Sequence, residues 1–262
     1  MSAFDDISAR KKKAIVTGAG DSVGKAAAIK LANNGYNVHI CDVNPVAVAS
    51  TLKEFPELTG TVADVSNFED VQKIFEEANV QEHGLDVLIN CVGLGGPIAP
   101  IELIAKADWI KTFDVNVHGI LYTMQQAIPL MKKNEQGRII NFSTASTRTR
   151  LPNRSAYIAS KAAVEGLTLN AARELGPFGI TCNVIQPGII DNQRMTKIIH
   201  DKALAKGKSV EEVNRDYLRY ISTRSKTSIN DIADTLLFLC SSSAKNITGE
   251  LIALSGNMEW ES

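Results

Sequence analysis

The sequence predicts a three-layer α/β fold in which helices cover both faces of a doubly wound, seven-stranded parallel sheet. Short runs rich in β-branched residues alternate with longer helical patterns from residue 14 to about residue 254. This alternation is typical of repeated βαβ units. The 262 residues, 44% of them apolar, are enough for one sizeable core, and no linker divides them. We therefore expect a single domain over residues 1–262.

The predicted strands are short apolar runs, and the predicted helices are longer periodic patterns. Strands are expected at residues 13–17, 37–41, 58–63, 87–90, 138–142, 181–186 and 250–254. Helices are expected at residues 23–34, 46–55, 68–80, 107–133, 155–175 and 229–242, several with Asn or Asp at the N-cap. The charged stretch 193–226 interrupts this rhythm after Pro187-Gly188. An inserted helical pair or substrate lid is therefore expected at about residues 190–226.

Charge and hydropathy exclude several classes of partner. The formal net charge of −1 gives no large uniform field to attract nucleic acid or an anionic membrane. The only basic run, residues 10–13, is interpreted as a solvated flank. No apolar stretch reaches the roughly 18 residues that span a bilayer, and Asp5 and Asp6 stand where a signal peptide would be apolar. We expect a soluble, cytoplasmic protein without a nucleic-acid or membrane partner.

Four cysteines are scattered through apolar surroundings without paired spacing. They are Cys41, Cys91, Cys182 and Cys240. This distribution is not that of a metal site or a disulfide framework, so we expect core thiols in a reducing compartment and no metal.

A turn of small residues follows the first strand. It reads Gly18-Ala19-Gly20-Asp21-Ser22-Val23-Gly24, and it lies between a buried strand and the start of a helix. Such a turn lets backbone N–H groups approach a pyrophosphate, whose charge the helix N-terminus favours. Glycines after a strand can also form a tight turn with no ligand.

Asp42 follows the second strand, 24 positions after Gly18. There a carboxylate can accept hydrogen bonds from the adenosine ribose hydroxyls, and it would repel the extra phosphate of NADP. No Arg or Lys occurs in residues 43–45 to hold that phosphate, so NAD is favoured over NADP. The alternative is a loop carboxylate that caps the helix after Pro45.

Tyr157 and Lys161 lie four positions apart in a predicted helix, which places both on one face with about 5–6 Å between their Cβ atoms. A phenol titrates near pH ~10, and an adjacent ammonium lowers that pKa towards the range useful for proton exchange. A Tyr and a Lys at this spacing more often form an exposed helix face. The interpretation of Tyr157 and Lys161 as a catalytic pair therefore needs support from other motifs in the chain.

Further motifs extend along nearly the whole chain. They are Thr17-Gly18 with Gly24, Asp64-Val65, Asn90-Cys91-Val92-Gly93, Asn116, Tyr157 with Lys161, and Pro187-Gly188. In order and spacing they closely resemble the compact, single-domain form of the short-chain dehydrogenase/reductase family. The resemblance implies a Rossmann fold, a nicotinamide cofactor and reversible alcohol–ketone interconversion. In that reaction Tyr157 exchanges the hydroxyl proton while a hydride passes to or from nicotinamide C4.

The same resemblance assigns roles to individual residues. Lys161 would also bind the nicotinamide ribose, and Asn116 would hold a water that links Lys161 to solvent. Asp64 would contact the adenine edge. Alternatively, several of these residues only form strand-end turns. The expected cofactor-binding residues are Gly18, Asp21, Ser22, Val23, Asp42, Asp64, Val65, Asn90, Gly93, Tyr157, Lys161, Pro187, Gly188 and Ile190.

The sequence departs from the family pattern at three positions. Thr144 stands thirteen positions before Tyr157, where the family has a carbonyl-polarising serine. Its hydroxyl can still stabilise charge on a substrate oxygen, although the neighbouring Ser143 or Ser146 could take that part. Ser22 replaces the second glycine of the cofactor turn, and binding should survive if its φ is negative. Asn192 replaces a threonine, so a carboxamide contact could be kept or lost.

Basic residues near the expected pocket suggest an anionic substrate. Arg148, Arg150 and Arg154 lie between Thr144 and Tyr157, and the lid adds Arg194, Arg219, Arg224 and Lys226. Arginines can pair with a carboxylate, sulfonate or phosphate. They can also be solvated loop charges or subunit contacts.

Two rival functions stay open at this level. One is an NADP-linked 3-oxoacyl reductase, and the other is a non-catalytic NAD-binding sensor. The family resemblance further implies a homotetramer or homodimer, assembled through the helices near residues 107–133 and 155–175 and the C-terminal segment.

Overall fold

Seven strands form one parallel sheet in the computed structural model, which describes residues 10–82 and 84–259. The strands are β1 (Lys13–Thr17), β2 (Asn37–Asp42), β3 (Thr59–Val62), β4 (Val87–Asn90), β5 (Gly137–Phe142), β6 (Ile180–Pro187) and β7 (Leu251–Leu254). Their spatial order is β3-β2-β1-β4-β5-β6-β7. The order reverses between β1 and β4, which is where doubly wound sheets bind ligands at the carboxyl ends of their strands. The predicted fold class is confirmed.

Helices cover both faces of the sheet. They are α1 (Ser22–Ala32), α2 (Pro45–Glu54), α3 (Phe68–Glu77), α4 (Lys106–Phe113), α5 (Gly119–Lys133), α6 (Ser146–Thr149), α7 (Ser155–Leu175), α8 (Gln193–Lys206), α9 (Val210–Leu218) and α10 (Ile229–Cys240). Helices α3, α5 and α7 share one hydrophobic core with the sheet, while α1 and α10 share the other. Strands β1, β2, β4, β5 and β6 supply both cores because their side chains alternate between the two faces. In β1, Ile15 faces the first core and Ala14 and Val16 face the second.

Helix starts are fixed by side-chain caps of the predicted type. Asp21, Asn44, Asn67 and Asn192 each accept a backbone N–H of the helix that follows. These caps satisfy donors that have no partner within the helix. Strand and helix bounds differ from the predicted ones by a few residues at most, as the fraying of element ends leads one to expect.

The long helix predicted at residues 107–133 is interrupted. Between α4 and α5 the chain widens into a π-helical turn over Asp114–His118. Asn116 lies at its centre, and its side-chain amide both accepts from the backbone N–H of Leu94 (2.7 Å) and donates to the Leu94 carbonyl (2.9 Å). The apolar pattern does not mark such a turn, because the turn depends on the contact between Asn116 and Leu94.

The basic run at residues 10–13 is not simply a solvated flank. Arg10 pairs with the buried Asp86 at 2.9 Å, and the backbone N–H of Lys13 donates to the same carboxylate at 2.7 Å. A buried carboxylate needs such partners, so this end of the run anchors β1. Asp5 and Asp6, which stand where a signal peptide would be apolar, lie outside the described residues.

The stretch after β6 forms the expected helical pair, α8 and α9, which pack on one another through Ile199, Ala203 and Val213. The chain rejoins the sheet by a bridge between Ile190 and Thr227. Within residues 10–82 and 84–259, no helix has the length and apolar character needed to cross a membrane.

Candidate active site

A cleft opens at the carboxyl ends of β1, β4, β5 and β6, where the strand order reverses. One wall is the glycine turn after β1, including Gly18, Asp21 and Val23. The opposite side carries Tyr157 and Lys161 from α7. The structure thus brings together, from distant parts of the chain, the turn and the Tyr–Lys pair that the sequence singled out.

The glycine turn leaves no room for side chains. Gly18 has φ +62°, and a Cβ there would lie 3.0 Å from the backbone nitrogen of Val92. A Cβ on Gly24 would collide with the Gly18 carbonyl. The turn therefore packs strand, helix and the β4 loop tightly, and it keeps an open backbone surface at the N-terminus of α1. Such a surface fits a pyrophosphate.

Ser22 departs from the expected backbone conformation. Its φ is +51°, so the negative φ on which the sequence interpretation depended is wrong. The left-handed conformation is the reason that a glycine suits this position, and serine adopts it at a cost in strain. The Ser22 hydroxyl is held by Asn192, whose side-chain nitrogen donates to it at 3.3 Å. Asn192 also caps α8, so the turn and the helical pair are joined here.

Asp42 lies at the end of β2, beside the turn. One carboxylate oxygen accepts the Gly20 N–H at 3.1 Å and the other accepts the Asn44 N–H at 3.0 Å. The cap of α2 is Asn44 and not Asp42, which removes the alternative raised by the sequence. Each oxygen keeps further acceptor capacity, so Asp42 can still bind hydroxyl groups.

Lys161 is a buried ammonium in the cleft. Its Nζ donates to the Phe142 carbonyl at 2.8 Å. Burial lowers the pKa of Lys161 to about 8, with a small opposing effect of Cys91. That value lies above neutrality, so the cation prevails at pH 7. A Cβ on Gly93 would lie 3.4 Å from Nζ, so the glycine leaves the approach to the ammonium open.

Tyr157 stands one turn before Lys161 on the same face of α7, and both line the cleft. Its ring packs against the guanidinium of Arg154, with 5.1 Å between Arg154 Cζ and the ring centroid. Tyr157 therefore lies against one guanidinium group and shares the cleft with the Lys161 ammonium.

Thr144 is the hydroxyl that the cleft presents next to this pair. Its Oγ1 accepts the Ser146 N–H at 3.2 Å, which leaves the hydroxyl proton available for a ligand. Ser143 instead donates to Glu165 at 2.6 Å. Ser146 is not among the residues lining the cleft. The geometry thus favours Thr144 over both neighbours.

Asn116 and Asn90 are buried next to the cleft and do not line it. The Asn116 amide is bound to Leu94 and also donates to the Ser160 hydroxyl at 2.9 Å. Asn90 donates to Asn141 at 2.9 Å and accepts from Thr123 at 2.8 Å. The contacts of Asn90 join β4 to β5 and α5. Those of Asn116 join the π-helical turn to the loop after β4 and to α7. Both asparagines therefore support the elements that line the cleft.

Other predicted residues line the far side or flank the cleft. Pro187, Gly188 and Ile190 line it at the end of β6. A Cβ on Gly188 would lie 2.8 Å from Ser255 Cα, so this glycine is needed for packing as well as for a turn. Asp64 accepts from the Ser66 N–H and hydroxyl. Val65 is buried against Gly119.

The arginines expected around the pocket are separated by the structure. Arg148 is exposed and reaches the Ser255 hydroxyl at 3.5 Å. Arg150 is exposed, with φ +51° at the end of α6. Neither lines the cleft. Arg154 lies on the Tyr157 ring, and Arg194 lines the cleft from the first turn of α8.

Two site residues were missed by the sequence reasoning. Glu165, one turn after Lys161 on α7, accepts hydrogen bonds from Ser143, Thr147 and Gln186. It ties the loop after β5 to β6, and its i+4 spacing from Lys161 was the only available signal. Cys91, expected in the core, is half-buried in the cleft wall.

The sequence profile described as enoyl-(acyl carrier protein) reductase matches residues 18–258 of the chain. The chain belongs to the short-chain dehydrogenase/reductase family. A relative in this family is the 3-oxoacyl-[acyl-carrier-protein] reductase FabG of Staphylococcus aureus (strain N315). It is 33% identical over 252 residues, which cover 94% of this chain and 98% of the relative.

Two solved structures are similar to this chain over nearly their whole length. NAD+-bound xylitol dehydrogenase gives a TM-score of 0.85 at 27% identity, covering 94% of this chain and 98% of the other. YwfH, an NADPH-dependent reductase involved in bacilysin biosynthesis, gives 0.87 at 28% identity, covering 96% and 100%. The chain is thus an oxidoreductase of this family with an NAD(P)-binding fold. Of the two neighbours, one binds NAD+ and the other depends on NADPH.

Proposed function

We propose that the protein is an NAD(H)-dependent oxidoreductase that interconverts a secondary alcohol and a ketone. The observation that carries this proposal is the placement of Thr144, Tyr157 and Lys161 on one cleft, opposite the glycine turn at the N-terminus of α1. The substrate class favoured by the nearby arginines is a small anionic hydroxy compound.

Different residues would bind the cofactor and transfer the proton. The glycine turn would hold the pyrophosphate, Asp42 the adenosine ribose, and Ile190 the nicotinamide side of the cofactor. The nicotinamide, when bound, accepts or supplies a hydride. In the oxidation direction, Tyr157 as phenolate takes the hydroxyl proton of the substrate, and the Lys161 ammonium favours that phenolate.

Thr144 holds the substrate oxygen during this transfer. Its hydroxyl proton has no partner within the described residues, so it can donate to the oxygen and stabilise the charge that develops there. Asn116 would support a water that links Lys161 to solvent. The helical pair α8–α9 would serve as a lid, since Arg194 and Asn192 at its start line the cleft.

NAD is proposed over NADP on the strength of Asp42. A carboxylate at the end of β2 repels a ribose phosphate, and residues 43–45 supply no cation. The alternative is an NADP-linked 3-oxoacyl reductase, which the similarity to FabG favours. Titrating both cofactors decides this point, because an equal or better response to NADPH would remove the Asp42 argument.

The central experiment compares the wild type with Tyr157→Phe in NADH formation from a panel of secondary alcohols. The variant keeps the ring and its packing on Arg154 and loses only the hydroxyl that moves the proton. We expect turnover to fall by about 10³-fold or more while NAD binding, followed by protein fluorescence, is spared. Retained turnover in Tyr157→Phe would refute the assignment. Binding of NAD without turnover on any substrate by the wild type would instead favour a non-catalytic NAD sensor.

The assembly proposed with this function is a homotetramer or homodimer. Its support is the apolar surface left exposed on the helices expected at the interface, including Trp109 and Ile110 on α4 and Leu169 on α7. Phe238 and Leu251 are likewise exposed towards the C-terminal end.

A further inference from the structure

Two arginine side chains converge on one small volume beside Gly95. A Cβ built on Gly95 would lie 2.8 Å from Nη2 of Arg194 and 3.1 Å from Nη2 of Arg154. Arg154 precedes α7 and Arg194 belongs to the first turn of α8. Three separate parts of the chain therefore meet here, and the absence of a side chain at position 95 lets both guanidinium groups approach the same point.

The loops that carry these residues are fixed to one another. The backbone N–H of Ala99, four residues after Gly95, donates to the Asn153 carbonyl at 3.1 Å. Asn153 immediately precedes Arg154. The arginine and the glycine are thus held together by backbone contacts, and their approach does not depend on flexible side chains alone.

The charges on the two guanidinium groups are not compensated by the protein. Within residues 10–82 and 84–259, neither arginine has a carboxylate partner, and the Nε of Arg154 is buried without any hydrogen-bond partner. Burial lowers the pKa of Arg154; the Tyr157 hydroxyl opposes this effect, and the charge of Arg194 adds to it. Two like charges that face the same volume repel, and a buried donor without an acceptor costs free energy. An anion between them would relieve both costs.

The volume lies next to the reacting groups. The guanidinium carbon of Arg154 is 5.1 Å from the Tyr157 ring centroid, and Arg194 lines the same cleft as Thr144 and Tyr157. A substrate whose anionic group sits between the arginines therefore has that group only a short carbon chain away from the oxygen held by Thr144.

We propose that Arg154 and Arg194 bind the carboxylate of a short hydroxy acid, with the reacting hydroxyl at C2 or C3, and of the corresponding oxo acid. This inference rests on the proposed function and deepens it by naming the substrate class and the residues that select it. A planar carboxylate matches the fork of a guanidinium, and two forks can share its two oxygens. A thioester of an acyl carrier protein and a neutral polyol such as xylitol carry no anion at this point.

Direct binding tests the site without relying on turnover. Isothermal titration calorimetry would use sodium acetoacetate and sodium 2-oxobutyrate, with methyl acetoacetate as the neutral probe, with and without saturating NADH. We expect Arg154→Gln and Arg194→Gln each to weaken binding of the acid that the wild type prefers by about tenfold or more. Binding of the methyl ester should change little. Arg148→Gln is the matched control, because this exposed arginine of the same loop points to Ser255.

A second variant displaces the two guanidinium groups from their common point and keeps both charges. Gly95→Ala puts a methyl group where the two Nη2 atoms converge, so it should weaken acid binding while the methyl ester binds as before. Circular dichroism of each variant checks that the fold is kept. Arg154→Lys should restore only part of the affinity, since an ammonium cannot make the bidentate contact.

The outcomes separate this inference from the proposed function. If neutral alcohols are oxidised as well as the hydroxy acids, and the arginine variants bind and turn over both alike, the inference is overturned and the proposed function stands. If Arg194→Gln weakens NADH binding and not acid binding, Arg194 belongs to the cofactor site and the inference is again overturned. If the acids bind through both arginines and no substrate yields NADH, the anion site stands and the proposed function fails.

Discussion

Lys161 is a cation placed where water cannot fully solvate it. Its ammonium is buried and, within the part of the chain that the structure describes, its hydrogen-bond acceptor is the neutral Phe142 carbonyl, at 2.8 Å. A buried charge without a counter-charge is costly, and this cost is seen in the lowering of its pKa to about 8. In the proposed reaction, this ammonium would stabilise negative charge that develops beside it in the cleft.

Ser22 allows the strain in the cofactor turn to be measured. A non-glycine residue at φ +51° carries a cost of roughly 1 kcal/mol or more, which is partly offset by its hydrogen bond to Asn192. Ser22→Gly removes the strain, and we expect it to raise the free energy of unfolding by about 0.5–1 kcal/mol. Urea denaturation at fixed protein concentration measures the change.

Ser22→Ala is the matched control for this prediction. It keeps the strained backbone and loses the hydroxyl, so it should be no more stable than the wild type. Equal stability of Ser22→Gly and Ser22→Ala would mean that the backbone at this position is not strained.

At the scale of elements, β2 and β3 are joined by side chains as well as by their backbones. His39 on β2 lies between the hydroxyls of Thr59 and Thr61 on β3, at 2.9 Å from each. Thr61 in turn donates to Glu77 on α3, so it accepts from His39 Nε2. The neutral imidazole fits this chain of donors and acceptors. Burial lowers the pKa of His39 to about 4, against a small opposing effect of Glu77.

The titration of His39 predicts the direction of acid sensitivity. The folded-state pKa lies below the ordinary value of 6.5, so the unfolded chain binds the proton more readily. The stability contributed by neutral His39 is present above pH 6.5 and is lost as the pH falls towards 4. We expect His39→Gln to be less stable at pH 7 and to lose less on acidification. Its disadvantage should shrink by about 3 kcal/mol between pH 7 and pH 4.

Urea denaturation of both proteins across this range of pH checks the prediction. The difference between the two curves removes the contributions of the other titrating groups. Parallel curves would show that His39 is protonated as readily in the folded protein as in the unfolded chain.

The elements that the sequence predicted well are those set by local chemistry. Strands β1 and β4 and helix α7 have the predicted bounds. Buried parallel strands appear in a sequence as short apolar runs, and α7 appears as one long helical pattern. The π-helical turn at Asn116 was missed because it depends on a tertiary contact with Leu94. Spacing placed Thr144 in the cleft, but only the contacts of Ser143 with Glu165 distinguish it from its neighbour.

The positive φ of Ser22 and the meeting of two arginines at Gly95 were also beyond sequence reasoning. The first is a backbone conformation that serine rarely adopts. The second joins residues 95, 154 and 194, which are distant along the chain. Local sequence patterns indicate which residues have reactive or binding side chains. The tertiary fold determines which of these side chains lie close together.

At the scale of the whole molecule, α7 has one face in the core and one face exposed. The exposed face carries Ala162, Gly166 and Leu169, and a Cβ on Gly166 would meet no atom within 4 Å. A glycine inside a helix costs about 1 kcal/mol relative to alanine, and nothing within the described part of the chain offsets that cost. A second copy of α7 approaching closely at Gly166 would offset it, which is consistent with the proposed homotetramer or homodimer.

Gly166→Gln tests whether two copies meet at this face. In an isolated protomer the new side chain points into open space, and it should raise the free energy of unfolding by about 0.5–1 kcal/mol. In an assembly packed through α7 it would hold the helices apart, so the oligomer should dissociate into smaller species. Sedimentation velocity over a range of protein concentrations measures the assembly state of the wild type and the variant. The control is Ala49→Gln, on the exposed side of α2 at the opposite face of the sheet. It should keep the wild-type assembly. A wild type that sediments as a monomer, or a Gly166→Gln variant that assembles like the wild type, would show that α7 does not form the interface.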